Sequence, residues 1–310
     1  MIIDQYPGAQ LGQEPQVLQL VRSGDVEFCI SSSANAATLS PQAGVMSMHF
    51  LFRSEAHLVK AGDVEFCISS SANAATLSPQ AGVMSMHFLF RSEAHLIKAI
   101  ADPDVGKAVK AMISETVQGA RVIALATLGL RSMYSKREIR TIDNIKGLKV
   151  RVQATPTEDT TFPAYGAQIV HMPFGSVYTS LQTGVVDVAE NGVNVYLANK
   201  HYEVAPVLSM TEHEANNSLV WISDKLWNSL TAEQQGWVQG AADEVNRKQP
   251  AKAIELEHQS QDKLRSIGVK IVTDVDKSGF TAIADPLLDK LAKELGPHAE
   301  KVKNAIRAIN

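Results

Sequence analysis

GLKVRVQATPTEDTTFPAYGAQIVHMPFGSVYTSLQTGVVDVAEN, residues 147–191, switches repeatedly between two periodicities, and that alternation decides the fold. It reads as strand, helix, strand, helix, strand, the pattern of an α/β sheet with crossover helices. Val150 and Val152 alternate with Lys149, Arg151 and Gln153, so Arg151 is placed inside a short strand that should be largely buried. A buried guanidinium is costly unless an anion meets it. The nearest acids along the chain are Asp187 and Glu190. Arg151 therefore pairs with one of them, lies solvated on an edge strand, or clamps an anion that comes from outside the chain.

Within the same stretch Thr157 is expected to cap a helix whose first turn carries Glu158 and Asp159, where acids offset the helix dipole. Pro163 limits it to about two turns and Gly166 is the exit. A strand at 169–172 leads to Pro173 and Phe174. Helix 177–183 then ends at Gly184, strand 185–189 follows, and Glu190 and Asn191 form its polar tip. The front of the chain repeats this arrangement: helix 14–22, Gly24, strand 26–30, then Ser31, Ser32, Ser33 and Asn35. Ligands of open α/β sheets sit outside the carboxyl ends of strands, so two such tips can face one cleft. Ser32 and its neighbours are either one wall of that cleft or a capped turn.

Elsewhere Val105, Val109, Met112 and Ile113 share one face of a helical stretch at 102–119, and 122–126 reads as a central strand. Gly129 and Arg131 follow it. Thr141 caps a short turn ended by Gly147. A strand is expected at 218–222, with Asp224 capping the turn around Trp227. Thr231 and Gln234 form a capping box that opens a long helix, which Pro250 should kink or break near Lys248. Helix resumes to Ile267, a strand spans 269–272, and two helices at 278–295 and 298–309 close the chain.

With 310 residues and 45% hydrophobic content the chain has enough core for two lobes of ordinary domain size. Net charge is −4 with both signs interspersed, so no basic footprint argues for nucleic acid or an anionic membrane surface. The longest apolar run, 120–130, is well short of the roughly 18–20 residues a membrane helix needs, so no direct membrane insertion is expected. The opening MIIDQYP lacks a basic patch, apolar core and cleavage site, so no signal peptide is read here.

Residues 24–61 recur at 62–99 with a single change, Val59 against Ile97. Two nearly identical copies are not the drifted, three-or-more pattern of a repeat architecture; they read as a recent tandem duplication or an assembly error. Cys29 and Cys67 are equivalent positions in those copies and read as buried free thiols rather than a disulfide framework. Each copy offers a strand for one slot in the sheet. Removing either copy leaves 272 residues (310 less 38) that read through smoothly.

The run GLKVRV, then MPFGSVYTSLQTGVVD, then EN resembles the signature of substrate-binding proteins of tripartite ATP-independent periplasmic (TRAP) transporters, the DctP type. Further matches are YPGAQLG at 6–12, HFLF before Arg91, GLR at 129–131 and KHYEVAPVLSMTEH at 200–213, so the resemblance covers most of the chain in order. It implies a two-lobed, periplasmic-binding-protein-like α/β fold, with discontinuous lobes joined by a hinge and a long bridging helix. The expected division is 1–128 with 217–256 as lobe I, and 129–216 with 257–310 as lobe II. The family opens with a strand and helix ahead of its YP…QLG turn, and these are missing here; the repeated segment occurs once in the family. The chain as written is thus expected to be a truncated, duplicated form.

The resemblance also implies a periplasmic receptor that hands a small organic acid to a membrane permease. Arg151 would bind the carboxylate with both arms, Asn191 would donate to it, and Arg131, 20 residues earlier as in the family, would contact a second oxygen or hold the first. Phe174 would pack on the carbon skeleton, and Glu190 and Ser32 complete the candidate site. From the residues alone, Arg131 also reads as a surface residue and Phe174 as a core aromatic. Val188 and Gly192 depart from the family's usual residues around EN. No G-x-S-x-G elbow, H-E-x-x-H, P-loop or zinc-spaced Cys pair is present, and His213 before Glu214 lacks a second histidine, so neither catalytic residues nor metal nor cofactor are expected. The alternatives are a hydrolase or lyase on the same scaffold, with Glu190 or His171 as base, and a sensory ligand-binding module.

Overall fold

A computed structural model of the chain describes residues 66–310. The first repeat copy, the helix expected at 14–22, the strand at 26–30 and the tip holding Ser32 lie outside the described residues. The strands are β1 (Phe66–Ser70), β2 (Ala120–Ser135), β3 (Lys149–Val152), β4 (Gln168–His171), β5 (Val188–Gly192), β6 (Val207–Ser223) and β7 (Lys270–Val272). The helices are α1 (Ser71–Ala74), α2 (Glu93–Ala101), α3 (Pro103–Thr116), α4 (Pro156–Ala164), α5 (Val177–Thr183), α6 (Val193–Ala198), α7 (Asp224–Ser229), α8 (Ala232–Ser266), α9 (Ser278–Leu295) and α10 (Pro297–Ala308).

The strands make one mixed sheet in the order β1-β6-β2-β5-β3-β4, with β7 beside β6. β3 pairs in parallel with β4 and β5, as the βαβ reading of 147–191 requires. β1, from the second repeat copy, pairs antiparallel with the end of β6. The axis of the molecule is the antiparallel pair β2 and β6, of 16 and 17 residues, far longer than the apolar runs 122–126 and 218–222 that predict them. Their register shifts between Thr127 and Leu130 and again between Arg131 and Met133, and Gly129 sits in the first shift at φ +94°, a conformation that glycine adopts without strain.

One apolar core gathers β1, β2 and β6 with α2 and α3, and includes Leu125, Leu219 and Trp221. Two others lie around β5 with α5 and α6, and around β3 with α4. Leu288, Leu291, Val302 and Ile306 join the first core, whereas Phe280 and Ala284 at the start of α9 join the β3 core.

α8 runs unbroken for 35 residues through Pro250, contrary to the expected break near Lys248. Its polar side chains hold it to β2 on both sides of the proline. Asn246 Oδ1 accepts from the Leu125 N–H at 2.7 Å, and Gln249 both accepts from the Thr127 N–H at 2.9 Å and donates to its carbonyl at 2.7 Å. Further along, Glu257 Oε2 accepts from the Leu130 N–H at 3.1 Å. These side chains take the place of a neighbouring strand along that stretch of β2, and the tethering outweighs the single helical hydrogen bond Pro250 cannot make. Two caps also differ from expectation. Thr155, not Thr157, caps α4, because Pro156 takes the first helical position; Ser223, not Asp224, caps α7, leaving Asp224 to pair with Arg121 at 2.6 Å.

Candidate functional site

β3 places Arg151 beside Val170 of β4, and the side chain is buried with only 3% of its surface exposed. Its Nε and Nη2 donate to the Met172 carbonyl at 3.2 and 2.9 Å, which turns one edge of the guanidinium toward the end of β4. The Phe174 ring lies beneath it, 5.9 Å from Cζ to centroid. Phe174 follows β4 in a short turn and is 37% exposed, so it is not the core aromatic that its residue type allows. Among the described residues no carboxylate pairs with Arg151, and Nη1 makes no hydrogen bond. Burial lowers the affinity of this guanidinium for its proton, and the nearby charge of Glu190 partly offsets that.

Arg131 is placed quite differently. On β2 it stands opposite Gly192 of β5 and Glu214 of β6. Its Nε and Nη2 reach the two Glu190 carboxylate oxygens at 2.5 Å each, and Nε is also 3.1 Å from Glu214 Oε2. All three side chains are buried. Burial alone would lower Arg131 and raise Glu190; their mutual attraction overcomes it, raising the guanidinium and holding the Glu190 carboxyl below the usual carboxylate range. Arg131 is therefore the partner of Glu190, and neither is a surface residue.

Asn191 shares β5 with Glu190. Its Oδ1 accepts from the Gly192 N–H and from Asn216 Nδ2, both at 2.9 Å, while its own Nδ2 makes no hydrogen bond to a described residue. The structure thus brings Arg131 and Glu190 into one contact and Arg151 and Phe174 into another, with Asn191 adjoining the first. Ser32 lies outside the described residues; its counterpart in the second copy, Ser70, caps α1 by accepting from the Asn73 N–H.

Four further buried polar side chains surround the Arg131–Glu190 pair. His87 Nε2 lies 3.5 Å from Glu158 Oε1, and His213 Nε2 lies 3.7 Å from Glu190 Oε2. The two imidazoles meet edge to face with centroids 4.7 Å apart. Burial lowers His87 to about 3 and His213 to about 4, so both rings are neutral. It pushes Glu158 up to about 8, with the Glu190 charge adding to the effect, and raises Glu214 well above its ordinary value. Sequence reasoning passed over this group. Glu158 looked like an acid offsetting a helix dipole, and the second histidine missing beside His213 and Glu214 is supplied by residue 87, 126 positions upstream.

The family described as bacterial extracellular solute-binding protein, family 7 (DctP) matches residues 1–61 and 55–295. The chain belongs to this family. The two matched pieces overlap within the repeat, the first ending where the first copy ends. The solute-binding chain is 32% identical over 300 residues to the 2,3-diketo-L-gulonate-binding periplasmic protein YiaO of Escherichia coli K12, spanning 96% of this chain and 79% of that protein. A TRAP periplasmic solute-binding protein of Chromohalobacter salexigens, solved with D-glucuronate, superimposes with a TM-score of 0.74 at 29% identity, over 82% of this chain and 83% of that one. One from Xanthobacter autotrophicus Py2, solved with β-D-galacturonate, gives 0.72 at 26% identity, over 96% and 94%. The mixed α/β fold is that of these periplasmic receptors. The family is one of substrate-binding receptors, not of enzymes; TRAP receptors bind small carboxylates and work with a membrane transporter. Among the described residues no helix is long and apolar enough to cross a membrane.

Proposed function

We propose that this receptor captures a sugar acid in the periplasm and delivers it to the membrane permease of a TRAP system, without chemical conversion. The observation that carries the proposal is the contrast between its two buried arginines. Arg131 already meets two carboxylates, whereas among the described residues Arg151 is held only by a backbone carbonyl and presents its Nη1 end without a carboxylate partner. A guanidinium so placed is completed by a ligand carboxylate across its two terminal nitrogens. Asn191 Nδ2 donates to the same group, and Phe174 covers the carbon skeleton. Arg131 and Glu190 act behind them as a fixed pair. The sugar-acid class is supported by relatives and neighbours whose names record diketogulonate, glucuronate and galacturonate.

The lobes are proposed to be 1–128 with 217–256 and the later part of the C-terminal helices, against 129–216 with 257 to the start of α9. Such a division puts the hinge at the β2 and β6 register shifts around Gly129 and Ala215, a discontinuity that can absorb a backbone rotation. The enzymatic alternative is disfavoured by the state of its two candidate bases. Glu190 is held in its ionised form by Arg131, and His171 is a surface residue paired to Asp159 at 2.6 Å.

The test is ligand-induced stabilisation of the full chain by D-glucuronate, D-galacturonate and succinate. A sugar acid at a hundred times its dissociation constant adds about 2.7 kcal/mol to the unfolding free energy, and Arg151→Ala abolishes that gain. Stabilisation that persists in Arg151→Ala would refute the site. Turnover of the bound acid would refute the receptor reading.

A further inference from the structure

We propose that His87, His213 and Glu214, with Glu158 beside them, form a site for a divalent transition-metal ion, zinc being the best match to the donor set. One nitrogen or oxygen from each of His87, His213 and Glu214 lies within 4.8 Å of the others. All four side chains are buried. A four-coordinate ion with bonds near 2.0–2.2 Å needs its donors about 3.5 Å apart, a short inward movement from this arrangement.

The direction of the rings is the second observation. His87 Nδ1 is 3.1 Å from the Tyr165 hydroxyl, and His213 Nδ1 is 2.8 Å from Thr211 Oγ1. These are the outer hydrogen bonds by which a metal-binding imidazole is usually oriented: the Nδ1–H donates outward and the Nε2 lone pair is left for the ion. Nε2 of both histidines is buried and has no hydrogen-bond partner among the described residues, and the same holds for Glu158 Oε2. Three buried polar atoms left without a hydrogen-bond partner in one region are costly in a folded protein. A cation satisfies all of them together.

The carboxyl groups divide between two contacts: Glu190 and Glu214 meet the Arg131 guanidinium, and Glu158 lies 3.5 Å from His87. Glu190 and one oxygen of Glu214 stay with Arg131, so the metal draws on the other Glu214 oxygen and on Glu158. Two neutral imidazoles and a carboxylate are a donor set suited to zinc; calcium and magnesium favour oxygen alone. The ion would sit behind the Arg131–Glu190 pair as a fixed brace, and the proposal does not depend on which acid the receptor carries.

The experiment uses the full chain without an affinity tag, stripped with EDTA, freed of chelator and titrated with zinc chloride against a chelating dye. The expected result is one equivalent of zinc per chain, with affinity at least tenfold weaker in H87Q/H213Q and unchanged in H171Q/H258Q, which removes the exposed histidines at 171 and 258. X-ray absorption of the zinc-loaded unmodified chain should show two imidazole ligands together with oxygen, a readout that stands even if the buried double variant does not fold. Less than a tenth of an equivalent bound, binding lost in H171Q/H258Q, or an absorption spectrum without paired imidazoles overturns the site.

Discussion

Glu257 of α8 fills the space that a side chain on Gly129 would occupy: a Cβ built there would stand 1.6 Å from Glu257 Oε2. The same oxygen accepts from the Leu130 N–H, so the helix closes the gap in β2 at the point where its register with β6 shifts. Gly129→Ala must therefore pay twice, once for an L side chain at φ +94° and once for displacing a buried carboxyl from the Leu130 N–H that donates to it. The expected loss is about 2–6 kcal/mol, the sum of ordinary costs for strained backbone and an orphaned polar group. Urea unfolding measures it; a loss below about 1 kcal/mol would mean that the strand relaxes freely there.

The same carboxyl makes stability depend on pH. Burial pushes Glu257 up to about 8, the hydrogen bond from Leu130 only partly opposing it. Its raised value means that the folded chain holds a proton the unfolded chain releases above about 4.5. The resulting stabilisation is complete below that point and is lost as pH rises through 8, by about 1.4 kcal/mol for each unit in between. Glu257→Gln keeps the acceptor for Leu130 and removes the titration. Unfolding free energies at pH 5 and pH 8 should converge in the variant relative to the unsubstituted chain. Identical pH dependence in the two proteins would show that Glu257 is ionised throughout.

The βαβ core around Arg151 was legible because period-two and helical patterns alternate there without interference. The long strands were not. β6 runs through TEHEANN, residues 211–217, a polar stretch with no apolar alternation to mark it as a strand, yet Thr211, His213, Glu214, Asn216 and Asn217 are all buried. They are tolerated inside because partners distant in sequence receive them: Arg131 for Glu214, Asn191 for Asn216, the Met84 carbonyl for Asn217. The unbroken α8 was hidden for the same reason. Pro250 is a local signal, and the side chains of Asn246, Gln249 and Glu257 that overrule it act on a strand more than a hundred residues away. Arg151 and Arg131 were both found as candidate cations, but only the folded structure separates the one already paired from the one that is not.

That separation yields opposite mutational behaviour. Arg131→Met strands Glu190 and Glu214 in the interior without their cation, and breaking such a buried pair costs about 3–5 kcal/mol. Arg151→Met forfeits two bonds to the Met172 carbonyl and the contact with Phe174, but it also removes a charge that burial disfavours, so its cost should stay below about 2 kcal/mol. The ligand response should invert the order of severity, vanishing in Arg151→Met although that protein remains well folded. Thermal unfolding with and without D-glucuronate reads both quantities. Equal destabilisation by the two substitutions would contradict the assignment of Arg131 as the structural arginine.

A chain with one copy of the repeat deleted should keep both its folded stability and its ligand response. The second copy carries its own set of anchors. Ser69 accepts from Trp221 Nε1 at 2.8 Å, Ser71 and Ser85 hydroxyls meet at 2.8 Å, the Phe88 N–H donates to the His213 carbonyl at 2.6 Å, and Met84 receives Asn217. The contacts to Trp221, His213 and Asn217 tie residues 66–99 to β6 directly, and the serine pair holds the segment to itself. Deleting 24–61 brings Ser23 next to Gly62, the same junction that it makes with Gly24, so the sequence context of the retained copy is preserved. The expected unfolding free energy of the 272-residue chain is equal to or above that of the full chain, since no described anchor is removed. Chemical unfolding of both chains, each with and without D-glucuronate, checks this. A shortened chain that fails to fold cooperatively, or folds and loses a response the full chain shows, would mean that the first copy contributes to the native structure in its own right.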